Sequence, residues 1–600
     1  GNLALAGGAV TVSQGGNSDY SGTISGTGTS LTKTGSGTLT LTGTNTYSGA
    51  TTIAAGTLSL KSTTTASGGS ATSGFNIASG ATLNFDVVDG AHKDYLPNGG
   101  SVQFTGNGTL SKTGGGDLFW GQGGATFALG AGSQIDVQGG MLIGGSHGNE
   151  AWTNNLASLN IAAGATFSGV EAAVSVDALT GPGRFTSGYP GDPAGITTGV
   201  NNYAAGTYNV AGLSIFSGTI SDLHSSAKLT KVGTGTLILS GANTYSGTTS
   251  INGGSVAAGP DQASINGAVS TAFGTSAITV NDGGSLNLAG RSIANAVTLT
   301  GQGQALVSGP TTTFTGALQN GRPLNPGDFD GGYMGAAITG VVTLSDTGSA
   351  GGPLINNGAH INISGKVSGA GGLIKDGSGF LFLTNSVNDY SGGTTLLGGT
   401  LAISTDSNLG AAPSTATATS LVLNGGALQA SLGLTGTTNT IALDTNRGIS
   451  IGTGGGTITT DSGVTLTSSA AVTATGNLTK DGAGTLLLSG DYSFSPVSGS
   501  PSFSTTTISA GSLVLRNDAP SIGGSINGFF RFTGAGGLTI EPVSASFSGS
   551  NTSGPLRLSD LVPAIDGLGS FTLGKAGNTR DIHVDAKITA ASQAYYGGDV

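Results

Sequence analysis

The chain has 600 residues and a formal net charge of −11 at pH 7, and it contains 113 Gly and no Cys. Its 19 Lys and Arg residues form no cluster, which argues against nucleic-acid binding because phosphate recognition needs several cations on one face. The lack of Cys excludes disulfides and thiolate metal sites, and it slightly favours export, because an oxidising periplasm penalises stray thiols. No stretch approaches the roughly 20 apolar residues of a transmembrane helix.

The first patterned segment, residues 31–53, reads LTKTGSGTLTLTGTNTYSGATTI. Within it, Leu39 and Leu41 fall on one side of an extended segment and Thr38 and Thr40 on the other, which is the period-two pattern of a half-buried strand. Gly bounds the segment, and Gly reaches positive φ in turns without steric cost. The same pattern of short strands between Gly-rich corners continues along the chain, and no segment has helical spacing.

The opening phrase recurs with a lysine at the same place each time. We predict copies near 31–60, 110–142, 229–258, 373–403 and 478–515, with the lysine at Lys33, Lys112, Lys231, Lys375 and Lys480. We interpret each lysine as a solvent-facing charge beside a corner, which keeps an uncharged strand from pairing with other chains. A ladder of ligand-contacting lysines is the alternative.

Tyrosines also recur at a shared turn position of the repeat. Tyr47, Tyr245 and Tyr390 follow the same Asn-containing turn, and Tyr492 is a displaced counterpart. We predict that their rings pack over a corner.

Short strands with one apolar side are marginal as separate hairpins, but they bury that side on their neighbours when the chain winds into a solenoid. The sequence therefore predicts an all-β, elongated, right-handed parallel β-helix (β-solenoid) with loop insertions, formed of on the order of 25 coils. A sandwich and a propeller are the rival folds. We assign residues 1–515 to the repeat-bearing β-helix and residues 516–600 to continuing β-strand repeats that are truncated at the end.

Two segments that depart from the repeat pattern, residues 85–100 and 144–212, are predicted to be loop insertions. The candidate ligand-binding residues are Asp86, Asp89, Asp94, Trp152 and Tyr189. Glycoside cleavage needs two acids about 5–10 Å apart, so a carbohydrate-active β-helix enzyme (a lyase or hydrolase) and a glycan-binding groove are both alternatives to plain solvated loops. The His residues are scattered, and we predict no metal, cofactor or catalytic site.

The phrases at 31–58 and 229–256, with 373–401 close behind, resemble the autotransporter-associated β-strand repeat, also called the passenger-associated transport repeat. This family occurs in large surface proteins of Gram-negative bacteria. The resemblance implies a non-enzymatic passenger of type V secretion, exported through an outer-membrane β-barrel translocator that lies outside this chain and displayed at the cell surface. It further implies a β-helical stalk that serves adhesion or biofilm formation, with host or matrix glycans or proteins as partners.

The last stretch, residues 569–600, resembles filamentous-haemagglutinin-type repeats. A phage or virion fibre is a further alternative for a repetitive β-rod. Both ends of the chain interrupt the strand pattern, so we expect the sequence to be a fragment of a longer protein.

Overall fold

In the computed structural model, the structure describes residues 1–62, 73–95, 101–120, 124–144, 151–152, 154–170, 173–187, 195–204, 207, 209, 211–259, 269–289, 291–300, 305–307, 336–345, 354–356, 360–431, 439–494, 504–518, 530–547, 556–558, 565–585 and 587–600. The chain divides into two compact units, Gly1–Ala289 and Gly290–Val600.

Each turn of the fold consists of short strands on different faces, joined by Gly-rich corners. In the first repeat copy, the chain runs from Thr29–Thr34 through a corner to Thr38–Leu41. It then passes through a tyrosine-containing turn to Thr51–Ile53, which pairs in parallel with Thr29–Thr34. The next strand, Thr57–Ser62, pairs in parallel with Thr38–Leu41. Each strand therefore pairs with the strand on the same face one turn later, which is the winding of a β-solenoid.

The first unit, Gly1–Ala289, has its strands in stacked parallel sets. One sheet contains Gly8–Ser13, Thr29–Thr34, Thr51–Ile53, Gly74–Ile77, Ser101–Gly106 and Gly124–Leu129. A second contains Ser18–Tyr20, Thr38–Leu41, Thr57–Ser62, Thr82–Val87, Thr109–Thr113, Gln134–Val137, Ser158–Ile161 and Leu179–Thr180. A third contains His92–Asp94, Asp117–Phe119, Met141–Ile143, Thr166–Gly169, Arg184–Ser187 and Thr219–Ser221. Later turns use the sets Val174–Val176, Ile196–Thr198, Leu229–Lys231, Thr249–Ile251 and Ile278–Val280, and Leu213–Phe216, Thr236–Leu239, Gly254–Ala258 and Gly284–Asn287; Leu3–Ala4 pairs with Ile24–Ser25.

The second unit, Gly290–Val600, repeats this organisation. Its sets are Val297–Leu299, Val342–Leu344 and Val367–Ser368; Ala305–Val307, Leu354–Asn356, Leu373–Asp376, Thr394–Leu396, Thr417–Leu423, Arg447–Ile451, Val472–Ala474 and Tyr492–Phe494; and Ala336–Ile338, Ile361–Ile363, Phe380–Leu383, Thr400–Ile403, Ala427–Ala430, Gly456–Thr460, Leu478–Asp481, Ser504–Ile508, Phe530–Thr533, Ile565–Leu568 and Ile588–Ala590. They continue with Thr440–Ala442, Thr465–Ser468, Thr485–Leu488, Ser512–Arg516, Gly537–Glu541, Ser570–Leu573 and Gln593–Tyr595, and with the pair Leu556–Arg557 and Ile582–His583. A 3-10 helix, Asp406–Leu409, lies in one connection.

The core of each unit consists of the inward side chains of the strands. In the first unit, Phe75, Phe104 and Phe127 occupy register-matched positions in successive turns. Their rings stack, with centroids 5.6 Å apart for the first pair and 5.2 Å apart for the second. Stacked rings and the buried Leu and Ile of neighbouring turns give a continuous apolar interior, because each turn covers the apolar side of the next.

The predicted parallel β-solenoid is confirmed, and three details of the prediction differ from the structure. The described residues form about 19 turns, fewer than the ~25 that short coils would give. Some turns are short, as between Lys33 and Ile53, but others are long, as between Val297 and Val342. The predicted insertion at 85–100 is also wrong in its described part, because Thr82–Val87 and His92–Asp94 are strands. The predicted insertion at 144–212 likewise contains strands, among them Ser158–Ile161. The sequence analysis predicted loops here because the outward residues of these strands are polar, as loop residues usually are.

Among the described residues, no helix has the length and apolar character needed to cross a membrane.

Candidate functional site

The repeat lysines point into the solenoid. Lys33 shares the inward side of its strand with Leu31, and both are 0% exposed. The other four are equally enclosed, with exposures of 1% for Lys112 and 0% for Lys231, Lys375 and Lys480. The prediction of a solvent-facing charge is therefore wrong: the lysine has the same parity as the inward leucine of its strand, and the period-two alternation carries both to the interior.

Each buried ammonium donates to three backbone carbonyls. Two belong to the first and second residues after the lysine, at Nζ–O distances of 2.6–3.0 Å, and the third belongs to the following turn, at 2.9–3.2 Å. At Lys231 the acceptors are Val232, Gly233 and Gly253. An ammonium has three N–H donors, so every donor is used. We call this arrangement, a buried lysine with its three acceptors, a lysine corner.

A glycine two residues after the lysine shapes the corner. Its φ is between 69° and 75° at all five corners: Gly35, Gly114, Gly233, Gly377 and Gly482. Five other glycines that stand two residues after an apolar inward residue have φ from 96° to 139°: Gly26, Gly106, Gly181, Gly369 and Gly534. The left-handed backbone is open to Gly at little steric cost. The lysine thus goes with a distinct corner geometry that turns two consecutive carbonyls inward.

Burial lowers the pKa of the corner lysines, because the interior disfavours the charged amine. The pKa falls from 10.5 to about 8 at Lys112, Lys231, Lys375 and Lys480, and it is also lowered at Lys33. Carboxylates oppose the shift at some corners: Asp117, Asp86 and Asp89 raise the pKa of Lys112.

The lysine corners do not form a ligand-contacting ladder. Within the first unit, Lys33 and Lys112 lie in different sheets, and within the second unit Lys375 and Lys480 do so as well. All three donors of each ammonium are engaged and none of the side chains reaches solvent. The corners therefore have a structural role. Among the described residues, no group of His, Cys, Asp and Glu is arranged to hold a metal ion.

The Lys231 corner has additional support from a neighbouring loop. The ammonium lies 4.9 Å from the centroid of the Tyr203 ring, within the range of a cation–π contact. Asp177 accepts the backbone N–H groups of Asn201, Tyr203 and Ala204 at 2.8–3.0 Å. Burial raises the pKa of Asp177, and these hydrogen bonds and the Lys231 charge oppose the rise. The carboxylate fixes the loop that covers the corner.

Tyr47, Tyr245 and Tyr390 lie in turns, whereas Tyr492 begins the strand Tyr492–Phe494. The hydroxyl of Tyr47 is 2.7 Å from Thr51 Oγ1, and the Tyr245–Thr249 and Tyr390–Thr394 pairs repeat this contact at 2.6 and 2.7 Å. Tyr492 makes the same contact with Thr506 at 2.8 Å, so its interpretation as a displaced counterpart is confirmed. All four rings are at most 4% exposed.

The structure brings two of the predicted ligand-binding residues to one corner. Asp86 lies 3.4 Å from Lys61 Nζ in a half-exposed ion pair and accepts from Thr113 Oγ1 at 3.4 Å. Asp89 accepts the backbone N–H of Gly115 at 2.7 Å. Both carboxylates thus adjoin the Lys112 corner, where Thr113 and Gly115 follow the lysine. Asp94 ends a strand and pairs with Phe119; its side chain, and all of Tyr189, lie outside the described residues.

Trp152 has a core position. Its side chain is 2% exposed, its ring stacks on Phe127 with centroids 4.0 Å apart, and its indole N–H donates to the Gly144 carbonyl at 3.2 Å. A solvent-borne ligand does not reach this side chain. The structure gives Trp152 a packing role, and the prediction that it binds ligand does not fit its place.

The sequence analysis did not identify a row of outward polar side chains on the second sheet of the first unit. Asp136 accepts from Gln138 Nε2 at 2.7 Å and from Asn160 Nδ2 at 2.8 Å. Asn160 in turn accepts from Thr180 Oγ1 at 3.2 Å. Asp136, Asn160 and Thr180 are in register across successive turns. The sequence does show polar residues at the outward positions of these strands. Which of them form hydrogen bonds with each other depends on how successive turns are aligned.

The repeat copies match a known family. The model described as passenger-associated-transport-repeat matches residues 31–60, 229–258, 373–403 and 478–515. The matched segments together make up less than half of the chain. Each matched copy contains one lysine corner, so this corner is part of the repeat's architecture in this chain. Residues 110–142 contain the Lys112 corner without being matched, and their status as a further copy stays a prediction, as does the haemagglutinin-like character of 516–600.

A curated relative is similar to half of the chain. The adhesin BmaC autotransporter of Brucella suis biovar 1 (strain 1330) is 31% identical over 312 residues, which are 51% of this chain and 7% of that protein. The chain thus spans a small part of the length of the relative. No solved structure matches the chain significantly.

Proposed function

We propose that this chain is a non-enzymatic, exported β-helical passenger of an autotransporter-like protein, and that it forms a stalk used in adhesion or biofilm formation. The observation that carries the proposal is the set of four passenger-associated-transport repeats built into a β-solenoid. The name of the relative, an adhesin autotransporter, supports an adhesive role. An outer-membrane translocator would then be the export partner, and the passenger would lie at the surface of a Gram-negative cell.

The absence of enzymatic activity is also part of the proposal. The two described carboxylates of the predicted site, Asp86 and Asp89, are engaged with Lys61, Thr113 and Gly115. The buried lysines have no free donor. A binding surface for glycans or proteins around Asp86, Asp89 and Asp94 remains compatible with these contacts and is proposed as a ligand site.

Surface display can be tested in the bacterium that encodes the chain. Antibodies against the purified chain should label intact cells as strongly as permeabilised cells, and a periplasmic protein should be labelled only after permeabilisation. In-frame removal of the segment should reduce attachment to host cells, to matrix-coated surfaces or to neighbouring bacteria. Labelling that requires permeabilisation would contradict export, and unchanged attachment would contradict the adhesive role.

The ligand site can be tested separately with a triple variant. Replacing Asp86, Asp89 and Asp94 with Asn should weaken binding of the purified chain to a glycan or matrix-protein array. Asp19→Asn, which changes an exposed acid elsewhere, is the control. Equal binding by both variants, with unchanged circular dichroism, would remove these three residues from the proposal and leave the stalk intact.

A further inference from the structure

In every lysine corner the third acceptor occupies the same place in the following turn. Lys231 is in register with Ile251, and its ammonium binds the carbonyl of Gly253, two residues further on. The other four corners share this offset: their register partners are Ile53, Val137, Leu396 and Ile508, and their acceptors are Ala55, Gly139, Gly398 and Ala510. The offset is constant although lysine and acceptor are separated by 22 to 30 residues in sequence.

The acceptor turn has its own matched glycine. The residue after each acceptor carbonyl has a φ between 57° and 66°: Gly56, Gly140, Gly254, Gly399 and Gly511. A lysine corner therefore requires one positive-φ glycine in its own turn and a second at a fixed position in the next. The two turns are matched to each other at a single alignment.

Apolar burial alone does not define that alignment. A slip of one residue carries every inward side chain outward, so burial excludes it. A slip of two residues preserves the alternation, and strands such as Leu229–Lys231 and Thr249–Ile251 present similar hydroxyl residues outward. Repetitive strands of this kind are prone to slip. Their inward and outward residues fit about equally well in the native alignment and in one shifted by two residues.

We propose that the lysine corners set the stacking register of the solenoid. A two-residue slip moves the third carbonyl by roughly 6–7 Å, while the two acceptors in the lysine's own turn stay in place. A buried ammonium N–H then has no acceptor, which disfavours the slipped alignment. Buried polar groups with defined partners specify register in coiled coils by the same physics. The lysine corners thus fix the alignment at intervals along the solenoid. The strands between them are rich in Leu, Thr and Gly and do not fix the alignment by themselves.

The chain lacks Cys, so pairs of introduced cysteines can report the register. Thr230 and Ser250 are directly paired across successive turns, at the roughly 4.8 Å spacing that permits a disulfide. Thr230 and Asn252 form the slipped pair, and two such positions are about 8 Å apart in the native register, beyond disulfide reach. Each pair is introduced into the full chain with Lys231 retained, with Lys231→Met, and with Lys228→Met as the exposed control. The proteins are unfolded, refolded and oxidised, and the disulfides are quantified by mass spectrometry.

With Lys231 retained, and with Lys228→Met, the disulfide should form in T230C/S250C and be nearly absent in T230C/N252C. Lys231→Met should raise the slipped disulfide at least about tenfold, which corresponds to about 1.4 kcal/mol of lost register preference. Native-register disulfides alone in Lys231→Met would overturn the proposal.

A second corner keeps the test decisive if Lys231→Met does not refold. Lys33→Met is examined with T32C/T52C as the native pair, since Thr32 and Thr52 are in register, and T32C/A54C as the slipped pair. The same shift toward the slipped disulfide is expected. Refolding of Lys33→Met into the native register alone would refute the inference at this corner.

Discussion

Each lysine corner removes a full positive charge from water and gives it three carbonyl acceptors. Desolvation of an ammonium costs several kcal/mol, and well-placed partners offset that cost only when every donor is satisfied. The five corners meet this condition with the same set of acceptors. The groups most sensitive to change are therefore the three carbonyls of each corner, which lose the ammonium donor when the amine is removed.

Lys231→Met tests this dependence on the carbonyl partners. The methionine fills a similar volume but leaves the carbonyls of Val232, Gly233 and Gly253 without the ammonium donor, so we expect a loss of about 3 kcal/mol in the free energy of unfolding. Urea denaturation followed by fluorescence or circular dichroism measures the change. Lys228→Met, at an exposed position of the same segment, should stay within about 0.5 kcal/mol of the parent. A variant as stable as the parent would show that the corner contributes nothing to stability.

The pH dependence of stability follows from the same lysines. Their folded-state pKa is lowered from 10.5 to about 8 at the corners of Lys112, Lys231, Lys375 and Lys480. Between pH 8 and 10 the unfolded chain binds more protons than the folded chain, so the free energy of unfolding should rise with pH in this window. Below pH 8 these lysines are charged in both states and contribute no slope.

The buried tyrosines limit this rise at its upper end. Burial raises the pKa of Tyr245, Tyr390 and Tyr492 above 10, so above about pH 10 the unfolded chain loses tyrosine protons first and stability falls. Urea midpoints measured from pH 7 to 11 should pass through a maximum, and Lys231→Met should show a shallower rise between pH 8 and 10. A midpoint that falls steadily from pH 8 would contradict the lowered lysine pKa values.

At the scale of the element, the corner is defined by its glycines as much as by its lysine. Gly233 and Gly212 both have positive φ, 69° and 76°, but their surroundings differ. A Cβ on Gly233 would lie 2.2 Å from the Gly199 carbonyl oxygen, whereas a Cβ on Gly212 would meet nothing within 4 Å. The pair separates the cost of backbone strain from the cost of close stacking between turns.

Gly233→Ala and Gly212→Ala are therefore a matched test of the corner. Gly212→Ala should cost about 1–2 kcal/mol from left-handed strain alone. Gly233→Ala adds a clash with backbone that cannot move without separating two turns, and we expect about 3–4 kcal/mol in total. Thermal or urea unfolding of the two variants gives the comparison. Equal losses would mean that adjacent turns adjust easily, against the close stacking described here.

The sequence predicted the elements well because strands and corners are local features. Period-two alternation located Thr38–Leu41 and Thr51–Ile53, and the spacing of Tyr492 to its turn indicated a displaced copy. The lysine orientation was recoverable from parity, since Lys33 stands two residues after the inward Leu31, but its charge favoured a surface interpretation. Its third acceptor could not be predicted, because Ala55 meets Lys33 only through the register of two turns. Trp152 was assigned to a ligand site for a similar reason: composition does not reveal that it stacks on Phe127.

At the scale of the molecule, burying the repeat lysines makes the exterior more acidic than the net charge suggests. Five of the 19 Lys and Arg residues are corner lysines, and Arg447 is also buried, where it binds Asp406 and the carbonyls of Leu409 and Gly410. Fewer cations therefore balance the acids at the surface. An acidic exterior favours solubility of a repetitive β-rich chain and opposes non-specific association.

A stack of turns in which each turn contacts mainly its neighbours should keep its structure when it is shortened. The stability of such a fold is approximately a sum of contributions from turns and from the contacts between adjacent turns. The first unit, Gly1–Ala289, is compact by itself and includes three lysine corners, at Lys33, Lys112 and Lys231. We expect residues 1–289, expressed alone, to give a β-type circular dichroism spectrum, and Lys231→Met to lower its urea midpoint as in the full chain. An unfolded fragment, or one in which Lys231→Met has no effect, would mean that stability in this chain depends on distant turns, so that the lysine corners do not act locally.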